Sequence, residues 1–397
     1  MGSSKLVCVI AAINGDEIQI LGHAHKESKG IDSSAISDMR LAQKSITSVV
    51  SEAERMAGFN IDKLLIGISG SQVSSVRKEV GAKIASDVVR TSDINNLAER
   101  IRGEFRKNNR EILHLIPLQY RLDDSNSVAN PRYMSGEKLY ARFHIVSTSQ
   151  TTIKNIENCF KRCQLSVSSY VVEPYASGLS CLSENEMNLG VMTIDIGYNS
   201  TSFAIIVEGR MVYVGSCGIG GYHITKDIST IFGVSFETAE KIKNLNSSLL
   251  ISPIEEKEII KYRVSDGIDE SGMVKVTRVE MCEIIRFRLE EIFESIKEIL
   301  QQKNLQINLL SSVVLTGGVA VTIGVDKLAQ EIFGKNVRIG YPNKIDDLPS
   351  ELVNQSHSCA LGMLVFLQNL YLKEKIKDGF ESKDNWFRRL VEKLAAM

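Results

Sequence analysis

Gly190-Val-Met-Thr-Ile-Asp195-Ile-Gly197-Tyr-Asn-Ser-Thr201 decides the reading of this chain, together with the Ser202-Phe-Ala-Ile-Ile-Val-Glu-Gly209 that follows. An apolar β-rich run ends in an aspartate and a glycine-led polar loop. A second apolar strand leaves the loop, and Glu208-Gly209 turns it back into residues 211–215. In such a loop Gly197 lets backbone approach an anion, and successive amides form a nest for phosphate. Ser200 and Thr201 add hydroxyl donors, and Asp195 can hold Mg²⁺, usually through water. The plain alternative is a tight turn capped by an aspartate.

Residues 2–15 echo that order. Gly2-Ser3-Ser4-Lys5 is a small polar loop, Leu6–Ile13 an apolar strand, Asn14-Gly15 a hairpin signal, and Glu17–His23 the return strand. Two hairpins of one design predict two similar α/β domains facing each other. The second loop is fed by the strand 190–196, whereas only Met1 precedes the first. The reading is that this sequence starts late, inside a phosphate loop; the alternative is a relative that lacks the strand.

The chain has 397 residues, 43% apolar and 24% charged, which predicts two or three folded domains rather than disorder. A net charge of −1, from 47 basic and 48 acidic residues, argues against broad binding of nucleic acid. Seven scattered cysteines, with no Cys-x-x-Cys pair, read as reduced thiols. His23 and His25 alone make a weak metal case. No secretory signal is visible, and no clean run of about 20 apolar residues predicts a transmembrane helix.

Further along, apolar spacing predicts helices over 37–58, 91–107, 151–163, 175–182, 224–232, 235–243 and 278–303. Strands are predicted over 63–68, 111–116, 138–147, 166–172 and 312–315. Residues 252–271 read as polar and irregular, and a helix is expected to start near Ile323. Thr316-Gly317-Gly318 ends a strand, and its glycines leave room for a flat ring or ribose against backbone. Glu240 and Lys243 share a helix face, either at a cleft or as a solvated pair. Glu173, before Pro174 at a strand-to-helix junction, can orient water or metal near a phosphate, or simply start the helix.

The C-terminus is the most specific physical feature. Residues 373–385 read as a charged, exposed linker. On the helix 386–397, Trp386, Phe387, Leu390, Val391 and Leu394 share one arc with Met397, while Arg388, Arg389, Glu392 and Lys393 fill the other. The sole tryptophan heads the apolar arc, and three basic side chains against one acidic favour anionic lipids. A helix this short is marginal alone in water, so the anchor is reversible. The alternative is a helix docked on protein.

Together these pieces resemble the FtsA family of bacterial division proteins, within the actin-like (ribonuclease H-like) ATPase superfamily, over essentially the whole chain. Gly2-Ser-Ser-Lys5 looks like the tail of that family's first phosphate loop, and Asp195-Ile-Gly197 through Thr201 like its second. Ile66-Gly-Ile-Ser-Gly70 is similar to the end of the first subdomain segment. Ile112-Leu-His-Leu-Ile-Pro117 and Pro131-Arg-Tyr-Met-Ser-Gly136 resemble the inserted subdomain. Gly220-Gly221 and Glu240 with Lys243 resemble the nucleotide side of the second domain. Leu315-Thr-Gly-Gly318 is similar to the adenosine motif, Val337-Arg-Ile-Gly340 to the strand after it, and the tail to the membrane-targeting helix. Tyr198 and Asn199 stand where the family has glycine, and Ser200 where it has threonine.

The resemblance implies a first domain core of 1–70, 148–187 and 352–372, with an insert at 71–147. It implies a second core of 188–222 and 305–351, with a smaller subdomain at 223–304. It further implies ATP and Mg²⁺ as cofactors, at most weak ATPase activity, and self-assembly into actin-like filaments; Glu173, from its place at the strand-to-helix junction, is the candidate catalytic group. The implied role is to tether filaments of FtsZ, a tubulin-like protein, to the cytoplasmic face of the inner membrane at the division septum, where later division proteins join. The FtsZ C-terminal tail is expected on the smaller subdomain, with Arg286, Arg288 and Glu291 as candidate contacts because arginines suit an acidic tail; the alternative is that these side chains only solvate the helix. A sugar-kinase-like phosphotransferase and a type IV pilus scaffold are the alternatives on this fold.

Overall fold

The computed structural model describes residues 1–378 apart from residues 16, 125–126, 253–258 and 264–272. The predicted tail helix, with Trp386, Phe387, Arg388, Arg389, Leu390, Val391, Lys393 and Leu394, lies outside the described residues.

The expected first hairpin forms from β1 (Lys5–Asn14) and β2 (Glu17–Glu27). A small hairpin follows, β3 (Ile31–Asp32) and β4 (Ala35–Ile36). Helix α1 (Met39–Ala57) is capped by the Asp38 carboxylate, which accepts from the amides of Arg40 and Leu41. Its apolar stripe, Ala42, Ile46, Val49, Val50 and Ala53, is buried against the β1–β2 hairpin. Strand β5 (Lys63–Ile68) ends at the insert.

The insert is a four-stranded sheet in the order β6-β9-β7-β8, with α2 (Thr91–Lys107) against it. Its strands are β6 (Ser74–Lys83), β7 (Arg110–Leu122), β8 (Ser127–Val128) and β9 (Lys138–Ser149). The chain returns through α3 (Gln150–Arg162), β10 (Ser166–Val172), α4 (Glu173–Cys181) and α5 (Glu184–Leu189).

The second domain opens with β11 (Val191–Ile196), β12 (Thr201–Val207) and β13 (Arg210–Cys217), joined as predicted by the Glu208-Gly209 turn. Helices α6 (Gly221–Phe232) and α7 (Phe236–Leu245) follow, then β14 (Ile259–Arg263) and β15 (Met273–Thr277). β14 lies in the stretch expected to be irregular; its backbone is organised by antiparallel pairing with β15. Helix α8 (Arg278–Gln302) buries Ile285, Leu289, Ile292, Phe293 and Ile296. Strand β16 (Ser312–Thr316) leads into a 3₁₀ turn at Gly318–Val321. Helix α9 (Val325–Phe333) therefore starts slightly later than expected, after left-handed Gly324. β17 (Asn336–Ile339) and α10 (Ser358–Asp378) complete the order. α10 continues through Asp378, into the residues expected to be linker. α10 crosses α4 so closely that a Cβ on Gly362 would lie 1.7 Å from the Ala176 carbonyl oxygen.

The second domain holds a five-stranded sheet, β13-β12-β11-β16-β17, with β11 parallel to β16 and antiparallel to β12. The first domain repeats the outer members of that order. β2-β1 matches β13-β12, and the parallel pair β5-β10 matches β16-β17. Among the described residues β1 bonds to β2 alone and β5 to β10 alone. Two α/β halves thus face each other, with the insert seated on both through a shared core of Val146, Val172, Ala204, Met211 and Val214.

Candidate functional site

The candidate cleft is placed where strand ends of the two halves meet. Asp195 sits near the end of β11, beside Thr316 on β16 in parallel register. Its Oδ2 accepts the Ser177 hydroxyl at 2.5 Å. Burial lifts the Asp195 pKa to about 6, Glu173 adds to the lift, and the Ser177 bond and the amino terminus oppose it. Gly317 (φ +91°) passes so close that a Cβ there would stand 2.4 Å from Asp195 Oδ1. That approach and that backbone angle together call for glycine.

Glu173 starts α4. Its Oε1 accepts from the Met1 amino group at 3.0 Å and from the Ser34 hydroxyl at 3.0 Å. Asp195 and Glu173 bring hard oxygen donors to one cleft. Mg²⁺ typically takes one or two carboxylates and keeps water and phosphate oxygens, so this donor set fits it. Among the described residues no group of three or more His, Cys, Asp or Glu side chains forms a closed metal cage.

The second loop is held by its own backbone. Gly197 N–H donates to Ser200 O at 3.1 Å, and the carbonyls of Gly197 and Tyr198 accept from the amides of Gly221 and Tyr222 at 3.0 and 2.8 Å. The loop is thereby fixed to the first turn of α6, where Gly220 and Gly221 lie. Lys243 reaches the same place from α7: its Nζ donates to Gly221 O, Thr225 Oγ1 and Glu240 Oε2 at 3.2, 2.8 and 2.7 Å. Lys243 is 8% exposed, so the pair with Glu240 is not a solvated surface bridge. Burial pulls the Lys243 pKa down while Glu240 pulls it up. The Tyr198 ring turns toward this cluster, 5.8 Å from the Tyr222 ring centroid and 5.9 Å from Lys243 Nζ.

Several expected donors face elsewhere. Thr201 donates its hydroxyl to Ile219 O at 2.8 Å and ties β12 to the end of β13. Thr316 bonds Gln355 O at 3.2 Å and Ser358 Oγ at 2.8 Å, so it anchors the crossing segment and leaves Gly317 and Gly318 at the cleft. Lys5 donates to Ser356 Oγ at 2.8 Å. In the first loop Gly2 makes a tight turn, Ser4 O accepts from Ser28 N–H at 2.9 Å, and Ser3 accepts from Ser33 N–H at 2.8 Å.

Sequence reasoning missed Asp32, Ser34 and Ser177. Ser34 is fully buried; its Oγ accepts from Ser69 N–H and lies 3.0 Å from Glu173 Oε1. The Ser33-Ser34 pair between two short apolar strands was the available signal.

On α8 both arginines are already engaged. Arg288 grips Asp227 at 2.7 and 2.8 Å and pairs with Glu291, while Arg286 pairs with Glu290 at 2.8 Å and Glu331 at 3.2 Å. Phe287, between them in sequence, is 69% exposed.

The insert and the second domain each match a known family description. Residues 192–362 match "Cell division protein FtsA" and residues 70–147 match "SHS2 domain inserted in FTSA". The chain is 31% identical over 379 residues to the cell division protein FtsA of Agrobacterium fabrum, covering 93% of this chain and 86% of that one. Among solved structures its fold is similar to the PilM-PilN type IV pilus biogenesis complex, with TM-score 0.65, 16% identity and coverage of 93% and 96%. It is also similar to MreB5 of Spiroplasma citri bound to ADP, with TM-score 0.54, 15% identity and coverage of 95% and 96%. The actin-like fold is common to these neighbours, and the inserted subdomain and the relatives are specific: this chain belongs to the FtsA family of cell division proteins.

Proposed function

We propose that this protein is a nucleotide-dependent adaptor that ties FtsZ filaments to the cytoplasmic face of the inner membrane at the septum. One observation carries the nucleotide part. The second phosphate loop, Asp195, Gly317-Gly318 and the Glu240–Lys243 pair converge on one cleft between two similar halves. ATP would lie with its phosphates against the loop amides and its nucleoside against Gly317-Gly318 and the α6–α7 face. Bound Mg²⁺ would neutralise phosphate charge, and Asp195 and Glu173 are the carboxylates that would hold it. Asp195 is held by Ser177 and Glu173 by Ser34, so both carboxylates are pre-positioned. The ADP-bound fold neighbour agrees with this reading.

The tether part rests on the tail's sequence and on family membership. Trp386, Phe387, Leu390, Val391 and Leu394 enter an anionic bilayer, with Arg388, Arg389 and Lys393 at the headgroups. Filament formation multiplies the weak anchors through avidity. The FtsZ tail docks on the smaller subdomain around α8, with Phe287 as its apolar anchor. Later division proteins join the assembled filaments.

Liposome flotation tests the tether. The full chain is expected to float with anionic vesicles, and the chain ending at Asn385 to stay in the dense fraction. Equal flotation of the two overturns the reading.

A further inference from the structure

The β3–β4 turn stands between the two phosphate loops. Ser33 (φ 45°) and Ser34 (φ 66°) are consecutive left-handed residues, the backbone of a two-residue hairpin turn that favours Asn and Gly. Serines hold it here because the turn is bonded on every side. Ser33 N–H donates to Ser3 Oγ at 2.8 Å, and Ser69 N–H donates to Ser34 Oγ at 3.0 Å. Strain sustained by surrounding bonds points to function.

The turn presents the exposed Asp32 to the cleft. One carboxylate oxygen, Oδ1, receives the Asn199 amide at 2.7 Å, the Ser33 hydroxyl at 3.1 Å and the Ser3 hydroxyl at 3.4 Å. Asn199 belongs to the second phosphate loop and Ser3 to the first. A single anionic oxygen thus gathers donors from both loops, as a phosphate oxygen would.

We propose that Asp32 is a tethered anion that clasps the two phosphate loops and competes with nucleotide phosphate for their donors. This rests on the nucleotide reading above and adds its regulation. The displaced carboxylate swings to solvent while the turn, held by Ser3, Ser69 and Glu173, stays in place. Asp32 is then a positioning residue that sets how firmly the two loops are held together and how tightly they accept an anion.

The test is titration of fluorescent mant-ATP with Mg²⁺ into the full chain and its variants. Removing the competitor in Asp32→Ala is expected to tighten binding about threefold to fivefold, the factor one hydrogen bond of ordinary net strength can supply. Asp32→Asn, which keeps the size and removes the charge, is expected to move in the same direction and serves if the alanine chain fails to fold. A second readout is limited proteolysis. Without nucleotide the variants should be cut faster than wild type, and with saturating ATP at the same rate; a merely structural role predicts faster cutting in both states. Unchanged or weaker mant-ATP binding in the variants, alongside clear wild-type binding, overturns this inference alone. No binding in any chain overturns the nucleotide reading and this inference with it.

Discussion

Asp195 is a carboxylate kept where its charge is disfavoured. Its pKa rises from the ordinary 3.8 to about 6, first through burial and then through Glu173. The folded chain therefore keeps a proton between those values that the unfolded chain releases, so in that window stability falls as pH rises. Above about 6 the cost is complete, and below 3.8 it is gone. Asp195→Asn is expected to raise the melting temperature near pH 7.5, by an amount that shrinks toward pH 4; the lift corresponds to roughly 3 kcal/mol at most. Equal melting of variant and wild type near pH 7.5 would count against this account. The same variant should bind Mg²⁺-nucleotide more weakly, since a site residue is retained at a cost to stability. Phe287 makes the opposite case. It is exposed and supports little of the fold, so Phe287→Ala should leave melting unchanged. It should weaken binding of an FtsZ tail peptide about tenfold, the loss typical of an aromatic anchor; isothermal titration reads both affinities.

At the scale of elements, the seam between insert and second domain is a relay of bonds. Val214 N–H donates to Ser75 Oγ at 3.1 Å, Ser75 pairs with His144 Nε2 at 2.8 Å, and His144 Nδ1 donates to Met211 O at 2.8 Å. His114 joins the insert to β10 by accepting from Val172 N–H at 3.1 Å. Burial lowers the His144 pKa to about 4 and that of His114 to about 3. Both stay neutral in the fold while the unfolded chain takes up protons below the ordinary 6.5. Their contribution is intact above that value and is lost as pH falls toward 4. His144→Gln should flatten the loss of stability across that range in thermal melts, and an identical slope would remove His144 from the explanation. Elements with a strong local pattern were legible in the sequence: both hairpins, α1, α3, and α8 with its Thr277–Glu280 capping box. β6 was not. Val-Arg-Lys-Glu-Val-Gly-Ala shows little burial contrast along it, and its strand character comes from pairing with β9. The site was half legible. The loops carry local signatures, but Asp32 meets Asn199 across 167 residues of sequence, and only the fold makes them neighbours.

For the whole molecule, the two halves share one design and differ in how their sheets close. Among the described residues β12, β11 and β16 each bond to neighbours on both sides, and β1 and β5 each to one. Hydrogen exchange should therefore be slowest in Val191–Ile196 and Ser312–Thr316, inside the five-stranded sheet, and faster on the outward amides of its edge strand β17. Equal protection of inner and edge strands would contradict the observed pairing. The halves are joined at the crossing segment, where Gln355 accepts from Thr316 and from Gly317 N–H. From there α10 runs for 21 residues, pressed on α4 at Gly362, toward the chain's end. At 1.5 Å per residue it is a rod about 30 Å long. Its first residue, Ser358, accepts from the Thr316 hydroxyl at the end of β16. Because α10 is pressed on α4 at Gly362 and its first residue bonds Thr316, the two helices and the end of β16 are packed as one unit, and a larger residue at Gly362 would disturb all three.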